Sequence, residues 1–538
     1  MHSQHRPTLL KNATIIDGTG APGFPGDVLI VGGSIADVAP KIMATEAETV
    51  DCGGRVVAPG FIDMHSHNDW FLPSPDQEIF TRSFLDQGIT AFVGGNCGFS
   101  AASLDPESTH HRTAADNLFR SAGITPDWQG LPGYAARLAD AGATTNMALL
   151  AGHGTARANI CGFQSAPLDG DQRNRLLYTL EKTMDDGAVG VSLGLQYEPG
   201  IFAGREELLA VARLVKQKDK ILTVHARALS ALSGTYPLKP FGRAHNLLAI
   251  EEMLSIARET GVRLQFSHLI FVGKKSWSTL DEALSIFDGA IADGVDVKFD
   301  TYSHHCGASL IHVVLPGWFL AKVPEAYHRT ADRLRLWAEM QAMSPLLGFG
   351  YGDILLTFAD DDAFNAHNGR FVTDIAAARG TSNFRTFMDI TIASHGLARV
   401  LMFRYSTPEI VGELMRQPAS LFMTDAWIER RGIQNPAAFG AFPRFLQRVR
   451  EEKIISLEAA VHKMTGAAAD RFGLTGRGVL KRGNAADVVV FDAGAVADGT
   501  SLTATDRAPT GINHVFVNGV PMAGDLATPG KRPGSLLM

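Results

Sequence analysis

An apolar run of four to six residues, rich in β-branched side chains and closed by a polar or ionisable residue, recurs along the chain. A loop and then a helical pattern follow it. Eight such runs occur: GRVVAPGFIDMHSH (54–67), GITAFVGGNCG (88–98), NMALLAGHG (146–154), AVGVSLGLQY (188–197), ILTVHAR (221–227), RLQFSHL (263–269), DVKFDTYSHH (296–305) and ASLFMTD (419–425). The helical patterns between them include REELLAVARLVKQK, LLAIEEMLSIARETG and STLDEALSIFDGAIADG, the last opening on Ser278 and Asp281 in the manner of a capping box. Continuous apolar strands alternating with helices indicate a parallel sheet covered on both faces, and eight units predict an α/β fold of the (β/α)8, TIM-barrel type. An open doubly wound sheet fits less well. No G-x-G-x-x-G follows the first strand, and polar terminators close nearly every strand instead of gathering at one switch point.

Outside the barrel pattern the texture changes to short strands separated by Gly, Asp and Pro. ATIIDG and GDVLIVGGSIADV precede it; GNAADVVVFD and GINHVFVNGVPM follow it. Residues 1–58 and 479–538 are therefore expected to pair into one small β-sandwich beside a catalytic barrel of residues 59–478. The stretch from about 310 to 418 is too long for a single crossover and reads as an insertion after barrel strand 7, in the position of a lid.

Composition narrows the function. The 538 residues are 45% hydrophobic and 20% charged with a net charge of -7, and no Lys/Arg run is present, so neither nucleic acid nor an anionic membrane is an expected partner. A small-molecule substrate is expected, and self-association is left open. No apolar stretch resembles a signal peptide or a membrane span, so the expected location is cytoplasmic. The four cysteines form no C-x-x-C pair and are too few for a disulfide framework.

The candidate chemistry sits at the strand ends. His65 and His67 close strand 1, Cys97 strand 2, His225 strand 5, His268 strand 6 and Asp425 strand 8. In an extended strand residues 65 and 67 share a face, so both rings can reach one ion. An isolated H-x-H or a lone cysteine is ordinary, but six ligand-type residues at one end of five strands point to a metal centre. Imidazole, thiolate and carboxylate together suit zinc, which lowers the pKa of water at an open position to about 7. Asp425 is placed to act as general acid/base in a hydrolysis.

The motifs APGFIDMHSHND, GGNCGFS, GHGTAR, SLGLQYEPG and the segment from FPRFLQRV to GNAADVVVFD resemble the amidohydrolase superfamily, in its D-aminoacylase (N-acyl-D-amino-acid deacylase) branch. The resemblance implies a TIM barrel with a small β-sandwich, one or two zinc ions, and cleavage of a non-peptide C–N bond. By position, Cys97, His225 and His268 would hold the tighter zinc, with Cys97 bridging, and His65, His67 and Asp425 the second. Tyr197 would polarise the scissile carbonyl; after strand 7, TYSHHCG keeps Tyr302 at the substrate side but adds His304 and His305, which could bind substrate or simply fill the mouth. Ile270 and Ala437 stand at substrate-binding positions where the branch carries a lysine and an arginine, so the cations that grip a substrate carboxylate are missing. The expected substrate is accordingly small and fairly apolar. Rivals keep the centre and change the bond (a lactonase, cyclic-imide hydrolase or deaminase), or keep only the scaffold; a scaffold has no use for all six ligands.

Overall fold

The computed structural model describes residues 6–111, 124–237 and 242–538. Eight parallel strands follow the sequence order: β1 (Phe61–Asp63), β2 (Ile89–Gly94), β3 (Asn146–Gly152), β4 (Gly190–Gly194), β5 (Ile221–His225), β6 (Arg263–Phe266), β7 (Val297–Thr301) and β8 (Ser420–Phe422). Each of the eight apolar runs forms one of them. The strands β2 to β5 are buried at every position, as expected of a sheet with helices outside and side chains packed within. The ring closes just beyond the end of β8, where Asp425 N–H donates to His65 O (2.9 Å) and His67 N–H to Ala426 O (3.0 Å). Closure is thus made by the residues that also carry chemistry.

The helical patterns appear as Arg205–Gln217, His245–Thr260 and Leu280–Ala292. The capping box does not form at the last of these. Its first turn is preceded by Thr279, and the Ser278 hydroxyl donates instead to Lys275 O (3.0 Å), because residues 274–277 already form a helical turn that turns Ser278 back on itself.

Both chain ends build one additional β-domain. Val56–Pro59 pairs antiparallel with Val488–Phe491, which joins the N-terminal strands Thr8–Ile15, Phe24–Val31 and Ser34–Ala39 to Ile512–Val517 and Val520–Ala523. Leu10, Val28, Ile30, Val57, Val488 and Phe516 form its own core. The alternate residues Val56, Ala58, Val489 and Phe491 join the barrel core, as the period-2 pattern requires. The last residues behave differently. Leu536–Leu537 leaves this domain and pairs parallel with Met147 and Ala148 of β3. The stagger of the barrel explains this: β4 pairs with β3 only from Leu150 onward, so the first residues of β3 present an open edge that the tail fills.

The insertion is a sheet of its own, Gly307–Leu310, Arg399–Met402, Ile354–Phe358 and Arg370–Phe371, all pairs antiparallel, with helices Thr330–Leu347, Val372–Arg379 and Asn383–Ala393. It ends at Met402, earlier than the sequence pattern suggested. The amphipathic helix Pro408–Arg416, capped by the Thr407 hydroxyl and opened by Pro408, belongs to the barrel as the crossover into β8.

Candidate metal centre

Six side chains from β1, β2, β5, β6 and β8 converge at the C-terminal mouth of the barrel. Cys97 Sγ lies 3.3 Å from His65 Nε2, 3.6 Å from His225 Nδ1 and 3.6 Å from His268 Nε2. Asp425 Oδ1 lies 3.2 Å from both His65 Nε2 and His67 Nε2. The ligand atoms fall into two groups, His65, His67, Cys97 and Asp425 in one, Cys97, His225 and His268 in the other, with Cys97 in both. All six residues are buried.

The backbone is bent to make this possible. Cys97 (φ 54°), His268 (φ 36°) and Asp425 (φ 46°) all occupy the left-handed region, which is costly for a residue with a Cβ and clusters at functional sites. Each stands just past a strand end, where the turn redirects the side chain toward the barrel axis. Gly194 makes room: a Cβ there would meet Cys97 O at 1.9 Å, so the end of β4 tolerates no side chain beneath the cysteine loop.

These spacings test whether an ion fits. With metal–sulfur near 2.3 Å and metal–nitrogen near 2.0–2.1 Å, the edges of a tetrahedron are about 3.6 Å for S···N and about 3.3 Å for N···N or N···O. Two S···N separations (3.6 Å, to His225 and His268) and the two N···O separations (3.2 Å) match those edges, and Cys97–His65, at 3.3 Å, lies slightly inside the S···N value. The electrostatics agree. Burial disfavours both anions, yet His65 with His225 and His268 holds the Cys97 thiol well below its usual range, and His65 and His67 do the same for Asp425. Burial also works against a charged His67, but Asp425 and Cys97 push it up to about 9. Burial and the neighbouring His268 push His225 down to about 4. A pocket of two anions ringed by imidazoles, its polar atoms facing inward and shielded from water, is one that divalent cations satisfy.

Other expected residues divide. Tyr197 stands over His225 with ring centroids 4.5 Å apart and borders the centre. Tyr302 donates its hydroxyl to Asp425 Oδ2, so it orients the carboxylate. His304 is not in the mouth: its Nε2 meets Asp498 Oδ2 (3.1 Å) and Thr500 Oγ1 (3.3 Å), because the C-terminal segment offers an acid where the sequence pattern showed only the barrel. Ile270 and Ala437 border neither cavity at the centre; both are packed in the core, Ala437 at the start of helix Ala437–Glu452. His153 and Arg157 close on Glu207 at 2.8 and 3.2 Å and tie helix His153–Cys161 to helix Arg205–Gln217.

Two positioning acids were missed. Asp300 of β7 accepts the His268 N–H (2.6 Å) on Oδ1, faces His65 Nδ1 (3.7 Å) and takes Gln265 Nε2 (2.9 Å) on Oδ2. Asp63 of β1 accepts from Thr424 N–H (3.0 Å) and from the Thr424 hydroxyl (2.5 Å), locking β1 to β8 beside the ligands. The signals were present: a charged residue inside an apolar barrel run, and in D-x-H-x-H a carboxylate on the same strand face as both histidines. Asp300→Asn is expected to weaken metal retention by roughly 10–100-fold, as for other residues that orient a ligand, measured by competition with a chromogenic chelator.

A closed parallel barrel with ligand-type side chains at its C-terminal mouth defines a class of metal-dependent enzymes. Comparison with known proteins narrows it. Two sequence profiles of the amidohydrolase family match residues 56–295 and 326–523. D-aminoacylase of Alcaligenes xylosoxydans xylosoxydans is 30% identical over 99% of this chain and 98% of its own. N-acyl-D-glutamate deacylase of the same organism is 31% identical over 98% and 96%. The crystal structure of N-acyl-D-glutamate deacylase from Bordetella bronchiseptica, complexed with zinc and a phosphonate inhibitor, superposes with a TM-score of 0.80 at 29% identity, covering 98% of this chain and 99% of that one. The chain belongs to the amidohydrolase family, in its D-aminoacylase branch.

Proposed function

We propose that this chain is a zinc-dependent hydrolase that cleaves a C–N amide bond in a small, largely apolar N-acyl or amide substrate. The observation that carries the reading is Cys97 Sγ, shared between two ligand groups at tetrahedral-edge distances. The zinc complex of the Bordetella relative with a mimic of the tetrahedral intermediate supports the same chemistry. Cys97, His225 and His268 would hold one zinc, and His65, His67, Cys97 and Asp425 would provide for a second.

Zinc bound there supplies a Lewis acid and lowers the pKa of water to about 7. The chain does the rest. Tyr197, at the edge of the centre, donates its hydroxyl to the carbonyl oxygen as negative charge develops on it. Asp425 takes a proton from the attacking water as the new C–O bond forms, then gives it to the nitrogen as the C–N bond breaks. Tyr302, donating to Oδ2, fixes the orientation of the carboxylate whose Oδ1 faces His65 and His67. Burial of the whole mouth excludes bulk water and strengthens each of these interactions.

The test is metal content with product mass. The purified chain is expected to carry between one and two zinc ions, and of a panel of N-acyl-D-amino acids, uncharged amides, lactones and cyclic imides, the open-chain amides should turn over fastest. Absence of zinc after growth in zinc-replete medium, or turnover of lactones alone, would overturn the reading.

A further inference from the structure

Beside the centre lies a second feature that the hydrolytic chemistry does not need: a cavity of about 580 Å3. Its inner end is formed by Gln196, Tyr197 and His225, so it begins against a ligand of the centre. Its walls include Leu229, Val272, Leu336, Met340, Met343 and Met402, with polar side chains such as Ser233, Thr235, Ser309 and Ser344 among them. The insertion supplies most of this wall. Leu336, Met340, Met343 and Leu347 follow at helical spacing and turn one face of helix Thr330–Leu347 into the cavity, whereas Leu334, Trp337 and Leu346 remain exposed.

Among the described residues, the cavity lining offers no unpaired cation for an anion. The one arginine among its described lining residues, Arg335, bonds Glu339 (2.8 Å) and stacks on Trp318 with its guanidinium carbon 3.8 Å from the ring centre. The arginines around the mouth are likewise engaged: Arg227 by Glu252 (3.1 Å), Arg399 by Glu429 (2.8 Å) and Arg444 by Asp498 (3.2 Å). Burying an unpaired carboxylate against such walls is unfavourable by several kcal/mol, whereas an apolar group gains with every methylene it buries. The volume lies within the range that encloses a drug-sized molecule.

Resting on the hydrolase reading above, we propose that this cavity is the subsite for a long, uncharged alkyl chain of the amide, and that Met340 and Met343, flexible and polarisable, determine the chain length accepted. The substrate class is then a fatty amide and not the N-acyl derivative of a small polar amino acid.

Alkyl hydroxamates from acetohydroxamate to dodecanohydroxamate chelate zinc without reacting, and the matching N-acyl amides of one small amine report turnover. In the zinc-loaded chain both hydroxamate affinity and kcat/KM are expected to rise by roughly three- to fourfold per added methylene until the cavity is full. In Met340→Trp, or in Met343→Phe should the first fail to fold, the rise should flatten to under twofold over the whole series. Trp337→Ser, on the outer face of the same helix, should keep it. A flat or falling series in the unmodified chain overturns the subsite. Chain-length-dependent binding without any turnover keeps the subsite and removes the hydrolase reading.

Discussion

Cys97→Ala is expected to lose bound zinc and amide hydrolysis together, with kcat/KM falling on the order of 10^4-fold. The reason is its place in both ligand groups. Remove the thiolate and His225 and His268 lose the only anion among their neighbours in the group, while His65, His67 and Asp425 keep a single negative charge for an ion that carries two. The thiolate is one of the anions that favour positive charge on the neighbouring imidazoles, and without it a divalent cation in the same buried ring loses that compensation too. A neutral alcohol cannot replace the thiolate, and Cys97→Ser should fare little better. Cys97→Asp restores an anion, with its oxygens one bond further from the backbone than the sulfur, and should recover part of the zinc. Elemental analysis, kcat/KM and circular dichroism on the same preparation separate loss of the centre from loss of the fold. Full zinc occupancy with normal turnover in Cys97→Ala would remove the bridging ligand from the mechanism.

The two groups also explain which features the chain made readable in advance. Barrel strands buried on both faces leave continuous apolar runs, and the C-terminal mouth is where polar residues must end them. His65, His67, Cys97, His225, His268 and Asp425 each interrupt or close such a run, and the structure brings all six together. Residues that act through another residue leave a fainter mark. Asp300 is one charged position within Val297–Thr301, and its meaning depends on His268 and His65 being brought to it from other strands. His304 fails for the converse reason: it stands next to the mouth in sequence, but Asp498, nearly two hundred residues on, draws its ring toward the β-domain segment. The limits of the insertion were misplaced because Pro408–Arg416, a barrel crossover, has the same amphipathic texture as the helices before it.

The missing cations follow the same logic. Ile270 and Ala437 occupy core positions, so installing Lys or Arg there would bury a charge without a partner and not reconstruct a clamp. Whatever this chain accepts must be gripped by its own surfaces, and next to the centre these are chiefly the apolar walls of the large cavity and the aromatic rim of Trp70, Phe99 and Trp427.

Asp425→Asn is the substitution that separates holding metal from moving protons. Asparagine keeps the shape, retains an oxygen to accept the Tyr302 hydroxyl, and leaves Cys97, His225 and His268 untouched. Zinc in that group should therefore be retained, while the group that takes the proton from water is gone. The expected result is a fall in kcat of about 10^2- to 10^4-fold with KM nearly unchanged, the pattern of an interaction made only in the transition state. Because proton transfer by Asp425 matters only where the ion supports attack, the double variant Cys97→Ala/Asp425→Asn should be no slower than Cys97→Ala alone. Multiplicative losses in the double variant would mean that the carboxylate acts independently of the bridged centre, and an Asp425→Asn enzyme with unaltered kcat would assign the proton transfer to another group.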